Sequence, residues 1–264
     1  MNTPKAKKEL GQHWLFDDAI LKSIADAAEL TPENTALEVG PGLGTLTKYL
    51  VKTAGQVVAV EADTELAGDL RGRVPAENLQ VVSEDIMEYN FRQLPAAYKV
   101  VANIPYYLTS GLLRLLVENP NPPSLMVLLV QKEVAERVVA EPGQMSVLAF
   151  SIQYYAKVEI VGDVPKEKFT PEPKVDSAIL KINMRKKPAF KADTKKLFRL
   201  VKAGFGERRK QLKNSLSGGL HISGEEAESL LKNAGINPQA RAQELTMREW
   251  QALYQIYCST PTSG

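Results

Sequence analysis

Leu37-Glu38-Val39-Gly40-Pro41-Gly42-Leu43-Gly44-Thr45-Leu46-Thr47 constrains the fold more than any other stretch of the chain, because an apolar strand runs there into a turn with glycines at alternate positions and then into a helix. Glycines in such a turn admit positive φ and let the main chain approach a ligand, and the helix that follows presents unpaired N–H groups at its start. The dinucleotide fingerprint G-x-G-x-x-G needs its third glycine at position 45, where this chain has Thr45. The G-x-G-x-G spacing disfavours a pyrophosphate cradle. It favours a loop packed against an uncharged nucleoside with an amino-acid tail.

Further strands and helices alternate after that turn. Short apolar runs at 57–60, 79–82, 99–102 and 125–130 predict strands, with helices expected over 17–28, to about 52, and over 64–73, 110–117 and 132–139. A helix over 145–155 and alternating strands over 157–161 and 177–183 complete the set. This order predicts an α/β fold with a doubly wound, mostly parallel sheet of seven strands, counting 35–39. Ligands in such sheets sit beyond the C-terminal strand ends, where the strand order reverses. From Arg185 onward only helical signals remain, with capping boxes at Ser223–Glu226 and Thr246–Glu249. Residues 1–186 are therefore expected to form one domain and 187–264 a small all-helical second one.

Composition decides the environment. No apolar run reaches membrane-spanning length, and the lysines near the N-terminus precede no apolar segment, so a soluble cytoplasmic protein is expected. The single cysteine, Cys258, excludes an internal disulfide and a multi-cysteine zinc site; no metal is expected. A net charge of +2 hides a local excess: residues 185–216 hold twelve Lys or Arg against Asp193 and Glu207. Within it, Arg208, Arg209, Lys210 and Lys213 read as a basic cluster on a short helix suited to RNA phosphates.

Three strand ends carry polar groups. Glu61, 21 residues after Gly40, is placed to accept hydrogen bonds from two ribose hydroxyls, and Asp85 from the exocyclic amine of an adenine. Asn103-Ile104-Pro105-Tyr106 is the most specific feature. Methylating an exocyclic amine requires acceptors that draw its N–H groups and turn the nitrogen lone pair away from the ring. The Asn103 side-chain oxygen and the Ile104 carbonyl suit that task, because Pro105 holds the preceding residue extended and removes a competing N–H. Tyr106 is placed to stack on an extruded base. Phe169, in the Pro-rich loop 169–175, is open between a second stacking face and a hydrophobic plug. His13 and His221 lack a nucleophile motif beside them, which argues against hydrolysis. A nicotinamide-dependent oxidoreductase is disfavoured by Thr45, and a non-catalytic RNA-binding assembly factor remains a further reading.

Gly11-Gln12-His13-Trp14-Leu15, the glycine turn, Glu61, Asp85, Asn103-Ile104-Pro105-Tyr106, residues 169–175 and Arg208-Arg209-Lys210-Gln211-Leu212-Lys213-Asn214 together resemble the ribosomal RNA adenine N6-dimethyltransferases, in order and over nearly the whole chain. Within that family the basic segment and the Ala-Arg-Ala-Gln-Glu-Leu run at 240–245 resemble the bacterial small-subunit branch. The resemblance implies a class I S-adenosylmethionine-dependent methyltransferase fold. It implies dimethylation of two adjacent adenosines near the 3′ end of 16S rRNA, with the 30S subunit or its precursor as partner, and no metal. A monomer is expected. By the family pattern His13, Leu15, Gly40, Gly42, Glu61, Asp85 and Asn103 bind the methyl donor, Asn103 and Pro105 serve the target amine, and Tyr106 and Phe169 stack on the base. Many relatives have Asn and Phe where this chain has His13 and Trp14.

Overall fold

The computed structural model describes residues 7, 11–207 and 209–260. In chain order the elements are β1 (Trp14–Leu15), α1 (Asp18–Ala27), β2 (Thr35–Val39), α2 (Thr47–Thr53), β3 (Gln56–Glu61), α3 (Thr64–Arg73), β4 (Leu79–Ser83), β5 (Lys99–Asn103), α4 (Thr109–Glu118), β6 (Leu125–Gln131), α5 (Lys132–Val138), α6 (Val147–Tyr155), β7 (Ala156–Val164), β8 (Phe169–Thr170), β9 (Ser177–Met184), α7 (Thr194–Phe205), α8 (Leu212–Leu220), α9 (Gly224–Asn233) and α10 (Met247–Ser259).

Seven strands form one sheet in the order β4-β3-β2-β5-β6-β9-β7. The first five are parallel, while β9 runs antiparallel to both β6 and β7. The interior strand β6 is buried along Leu125–Val130, as a strand covered on both faces should be. At the edge, β7 alternates between half-buried and exposed positions, and a register shift beside Gly162 leaves Val161 exposed. From β2 the chain builds outward through β3 and β4, then returns to lay β5 on the other side of β2. That reversal opens a crevice between the C-terminal ends of β2 and β5, which carry Gly40 and Asn103.

Helix α1 shows how local sequence serves this layer. Asp17 caps it by accepting from the N–H groups of Ala19 and Ile20, and its apolar stripe buries Leu21 and Ile24 completely or nearly so. Those side chains join Leu50 of α2 and Ala36, Val57, Val101 and Val127 of the sheet in one core. Each such burial contributes about 1.5–3 kcal/mol.

The chain divides into two compact units, one holding the sequence up to Glu136 with Ala156–Arg185, the other Arg137–Tyr155 with the sequence from Lys186 onward. This differs from a single cut after residue 186. Helix α6 enters the second unit, where Phe150 and Tyr154 pack with Phe190, Phe198 and the fully buried Trp250. Main-chain bonds tie the same segment in, from Gly143 N to Gln243 O at 2.7 Å and from Ala189 N to Tyr154 O at 2.7 Å. The α6 sequence is apolar on most sides, so nothing local says which core it enters.

Candidate active site

A cavity of about 170 Å³ lies in the first unit beyond the ends of β2 to β5. That is more than ten times what one water needs, so the space suits a ligand rather than solvent alone. Its floor is the glycine turn. Gly40 has φ 63° and donates its N–H to Val60 O at 2.9 Å. Gly42 has φ 56°, and a Cβ there would stand 2.6 Å from the Trp14 ring, so only glycine fits beneath the indole.

The N–H of Gly42 donates to Glu61 Oε2 at 3.0 Å, and the N–H of Asp63 donates to Glu61 Oε1 at 3.0 Å. Glu61 is thereby aimed by main chain that follows β2 and β3, and each oxygen keeps a lone pair for a ligand hydroxyl. Burial raises its carboxyl above the usual range, against the pull of the two N–H groups. Asp85 lies just past β4, exposed on the cavity wall, with Oδ1 accepting from Met87 N–H at 2.9 Å. These two acids and the glycine turn come together as expected.

Residues 11–15 line the same cavity. On one side Gln12 Nε2 donates to Asp63 Oδ2 at 3.2 Å, and the Lys7 ammonium pairs with Asp63 at 3.0 Å and Glu65 at 2.9 Å. Burial pushes Asp63 upward, but the bonds from Lys7 and Gln12 outweigh it and leave the carboxyl below its ordinary value. On the other side His13 Nδ1 lies 2.6 Å from Pro171 O. A carbonyl only accepts, so Nδ1 carries the proton. Leu15 pairs with Phe169 between β1 and β8 and is 1% exposed.

Asn103 to Tyr107 form a further wall of the cavity. Asn103 ends β5, and its Nδ2 donates to His13 O at 3.3 Å. With the amide tied through nitrogen, Oδ1 is left as an acceptor. Pro105, at φ −55°, leads into a short turn of helix, and Pro105 O accepts from Leu108 N–H at 3.0 Å. The Tyr106 hydroxyl lies 2.9 Å from Ser177 Oγ, and its ring stacks on His13 with centroids 5.7 Å apart. Burial raises the Tyr106 phenol, so it is neutral and no base.

Two expected placements differ. Phe169 is 3% exposed, belongs to the apolar core and is absent from the cavity wall. Its pairing with Leu15 turns the ring inward, so here it plugs the core and offers no stacking face. The basic cluster is not on one helix either: α7 ends at Phe205, Gln211 is extended, and α8 begins at Leu212. Gln211 interrupts the helical backbone, which leaves Arg209 and Lys210 in the connection and Lys213 on α8. Lys210 pairs with Glu207 at 2.7 Å and Lys213 with Glu228 at 3.1 Å. Arg208 lies outside the described residues.

Residue-by-residue reading of the sequence missed Glu38 as a site group. It is 1% exposed on the cavity wall, Oε2 has no hydrogen-bond partner, and burial pushes its carboxyl up to about 8. An acid in the middle of a buried apolar strand was the available signal. Gln12, Asp63, Trp14 and the exposed Tyr107, all close to the turn or the Asn103 loop, were also missed as side chains of the site. Among the described residues no group of three or more His, Cys, Asp or Glu is arranged to hold a metal, and no helix is long and apolar enough to cross a membrane.

A mostly parallel seven-stranded sheet with a cavity at its switch point, floored by a glycine turn and walled by two strand-end acids, defines a class I methyltransferase fold. The family model described as ribosomal RNA adenine dimethylase matches residues 3–258, and the chain belongs to that family. It is 42% identical over 264 residues to a protein of Dehalococcoides mccartyi named ribosomal RNA small subunit methyltransferase A, covering 98% of this chain and 91% of that one. A protein of the same name from Desulfitobacterium hafniense is 39% identical over 253 residues, covering 94% and 91%. Among solved structures, the 23S rRNA methyltransferase ErmE superposes with a TM-score of 0.76 at 28% identity, covering 92% of this chain and 98% of that one. A dimethyladenosine transferase from Plasmodium falciparum, at TM-score 0.79 and 24% identity over 90% of this chain and 95% of that one, shares the fold. The chain is an rRNA adenine dimethyltransferase with S-adenosylmethionine as methyl donor. The glycine floor, with no room for a Cβ at Gly42 or Gly44, and the main-chain-aimed Glu61 fit that donor.

Proposed function

We propose that this protein dimethylates the N6 amines of two adjacent adenosines near the 3′ end of 16S rRNA, in the 30S subunit or its precursor late in assembly, acting as a cytoplasmic monomer. The observation that carries the chemistry is the Asn103 amide, held through Nδ2 by the His13 carbonyl so that Oδ1 is the free acceptor beside the cavity. The small-subunit target is supported by the name of the relatives at 39–42% identity.

Glu61 and Asp85 bind the ribose and adenine of the donor, the glycine turn carries its amino-acid end, and residues 13–15 cover it. S-adenosylmethionine, when bound, supplies an electrophilic methyl group. Asn103 Oδ1 and the Ile104 carbonyl accept the target amine's N–H groups and direct its lone pair toward that methyl. Tyr106 holds the extruded adenine by its ring, steadied through Ser177. No residue need remove a proton before attack, because the methylated nitrogen becomes acidic and releases its proton to water. Arg209, Lys210 and Lys213, with Arg208, serve RNA phosphates in this reading.

The test uses subunits from cells lacking the protein. Purified protein with labelled donor is expected to methylate the small subunit at two adjacent adenines, located by mass spectrometry. Labelling confined to the large subunit would move the target to 23S rRNA, the substrate class in the name of ErmE.

A further inference from the structure

We propose that the exposed face of α7, formed by Lys195, Lys196, Arg199 and Lys202, is a docking surface for the phosphate backbone of ribosomal RNA; the inference rests on the rRNA reading above. All four side chains are exposed, while Leu197, Phe198, Leu200, Val201 and Ala203 of the same helix are buried. Lys195, Arg199 and Lys202 stand at i, i+4 and i+7, one line along about 10 Å of helix, with Lys196 beside them.

Stability does not explain this stripe. A helix N-terminus favours acids and disfavours cations, and like charges at i, i+4 repel. Helices α1, α3, α5, α9 and α10 each carry an acid in the first turn; α2, α4, α6, α7 and α8 carry none, and α7 alone has two lysines there. Other first-turn lysines are neutralised: Lys48 by Asp18 at 3.0 Å, Lys132 by Asp163 at 3.0 Å and Lys213 by Glu228 at 3.1 Å. Arg248 of α10 shares its turn with Glu249. None of the four α7 cations has a carboxylate partner among the described residues. The nearest acid in sequence, Asp193, is spent as the helix cap, accepting from Lys196 N–H at 3.1 Å. A partner that brings evenly spaced negative charge turns every one of these unfavourable terms favourable, and a nucleic-acid backbone has that charge density. The contrast with Lys210 and Lys213 is direct, since both already have carboxylates.

The experiment uses the full chain with Lys195→Gln, Lys196→Gln, Arg199→Gln and Lys202→Gln together, glutamine being a good helix former. Affinity for a small-subunit rRNA transcript is measured across a salt series, beside methylation of unmodified small subunits. The slope of log affinity against log salt should fall by about 3–4, roughly one per lost phosphate contact. KM for the subunit should rise at least about tenfold, with kcat at saturation within about twofold. The charge-retaining set Lys195→Arg, Lys196→Arg and Lys202→Arg should keep the wild-type slope. If the fourfold variant unfolds, Lys195→Gln with Lys196→Gln alone should lose about 2 from the slope and raise the unfolding temperature, because two cations leave a helix N-terminus. An unchanged slope in either folded glutamine variant overturns the proposal. A wild-type chain that leaves small subunits unmethylated, yet loses its salt slope in the variant, would overturn the substrate assignment and keep the stripe.

Discussion

The two sides of the cavity are built by different means. On the side proposed for the donor the shape comes from main chain: positive-φ glycines, and N–H groups of Gly42 and Asp63 that aim a buried Glu61. On the side proposed for the target base it comes from side chains, where Asn103 hangs on the His13 carbonyl, Tyr106 leans on His13 and Ser177, and Tyr107 is 62% exposed. Main chain locked by a sheet cannot adjust without moving strands, so the donor side presents one shape. Side chains can reposition, which suits a site that must take an unmethylated and then a monomethylated amine.

The largest effect should come from the base side. Asn103→Ala removes the acceptor but none of the donor's floor, so kcat should fall about 100- to 1,000-fold while subunit binding holds, as read by single-turnover methylation and filter binding. Equal loss of binding would erase the division between the two sides. On the donor side, Gly42→Ala forces a Cβ against the Trp14 ring and strains a φ of 56°, so affinity for S-adenosylmethionine should drop at least about tenfold in calorimetry. Adding Trp14→Phe removes the ring atoms it strikes and should restore part of that loss. No rescue would mean that the positive φ alone demands glycine.

Glu38 sharpens the comparison through pH. Its folded pKa of about 8 lies above the ordinary carboxyl value of 4.5, so the folded state binds the extra proton between them and stability falls as pH rises through that window. Glu38→Gln should flatten the decline and be the more stable protein at pH 8, by up to about 4 kcal/mol in urea unfolding. A variant with the wild-type pH slope would show that Glu38 is ionised in place. The smallest effect is expected from Gln12→Ala, which frees one anchor of residues 11–15 from Asp63. Donor release should quicken about three- to tenfold in stopped flow, the worth of about 1 kcal/mol.

Much of this is legible in the sequence. Glycine at alternate positions dictates a tight turn, apolar runs of strand length between helices dictate a parallel sheet, and the switch-point rule then places Gly40, Glu61, Asp85 and Asn103 at one edge. Capping boxes at Ser223 and Thr246 set two helix starts correctly because both partners lie within one turn. Phe169 was not legible. Whether a ring beside prolines faces a cavity or a core depends on its partner across β1 and β8, which is 154 residues away in the chain.

What the sequence by itself determined was therefore what local chemistry controls: strands, helices, turn conformation, and the kinds of group at the strand ends. Tertiary structure alone decided the rest. It sent α6 into the helical unit, left Glu38 without a partner for one oxygen, tied Asn103 through its nitrogen, and paired Lys213 with Glu228 while leaving the α7 stripe bare. The physical reason is the same in each case. Burial, hydrogen-bond direction and ion pairing are set by neighbours far away in the chain, and no window of sequence contains both partners.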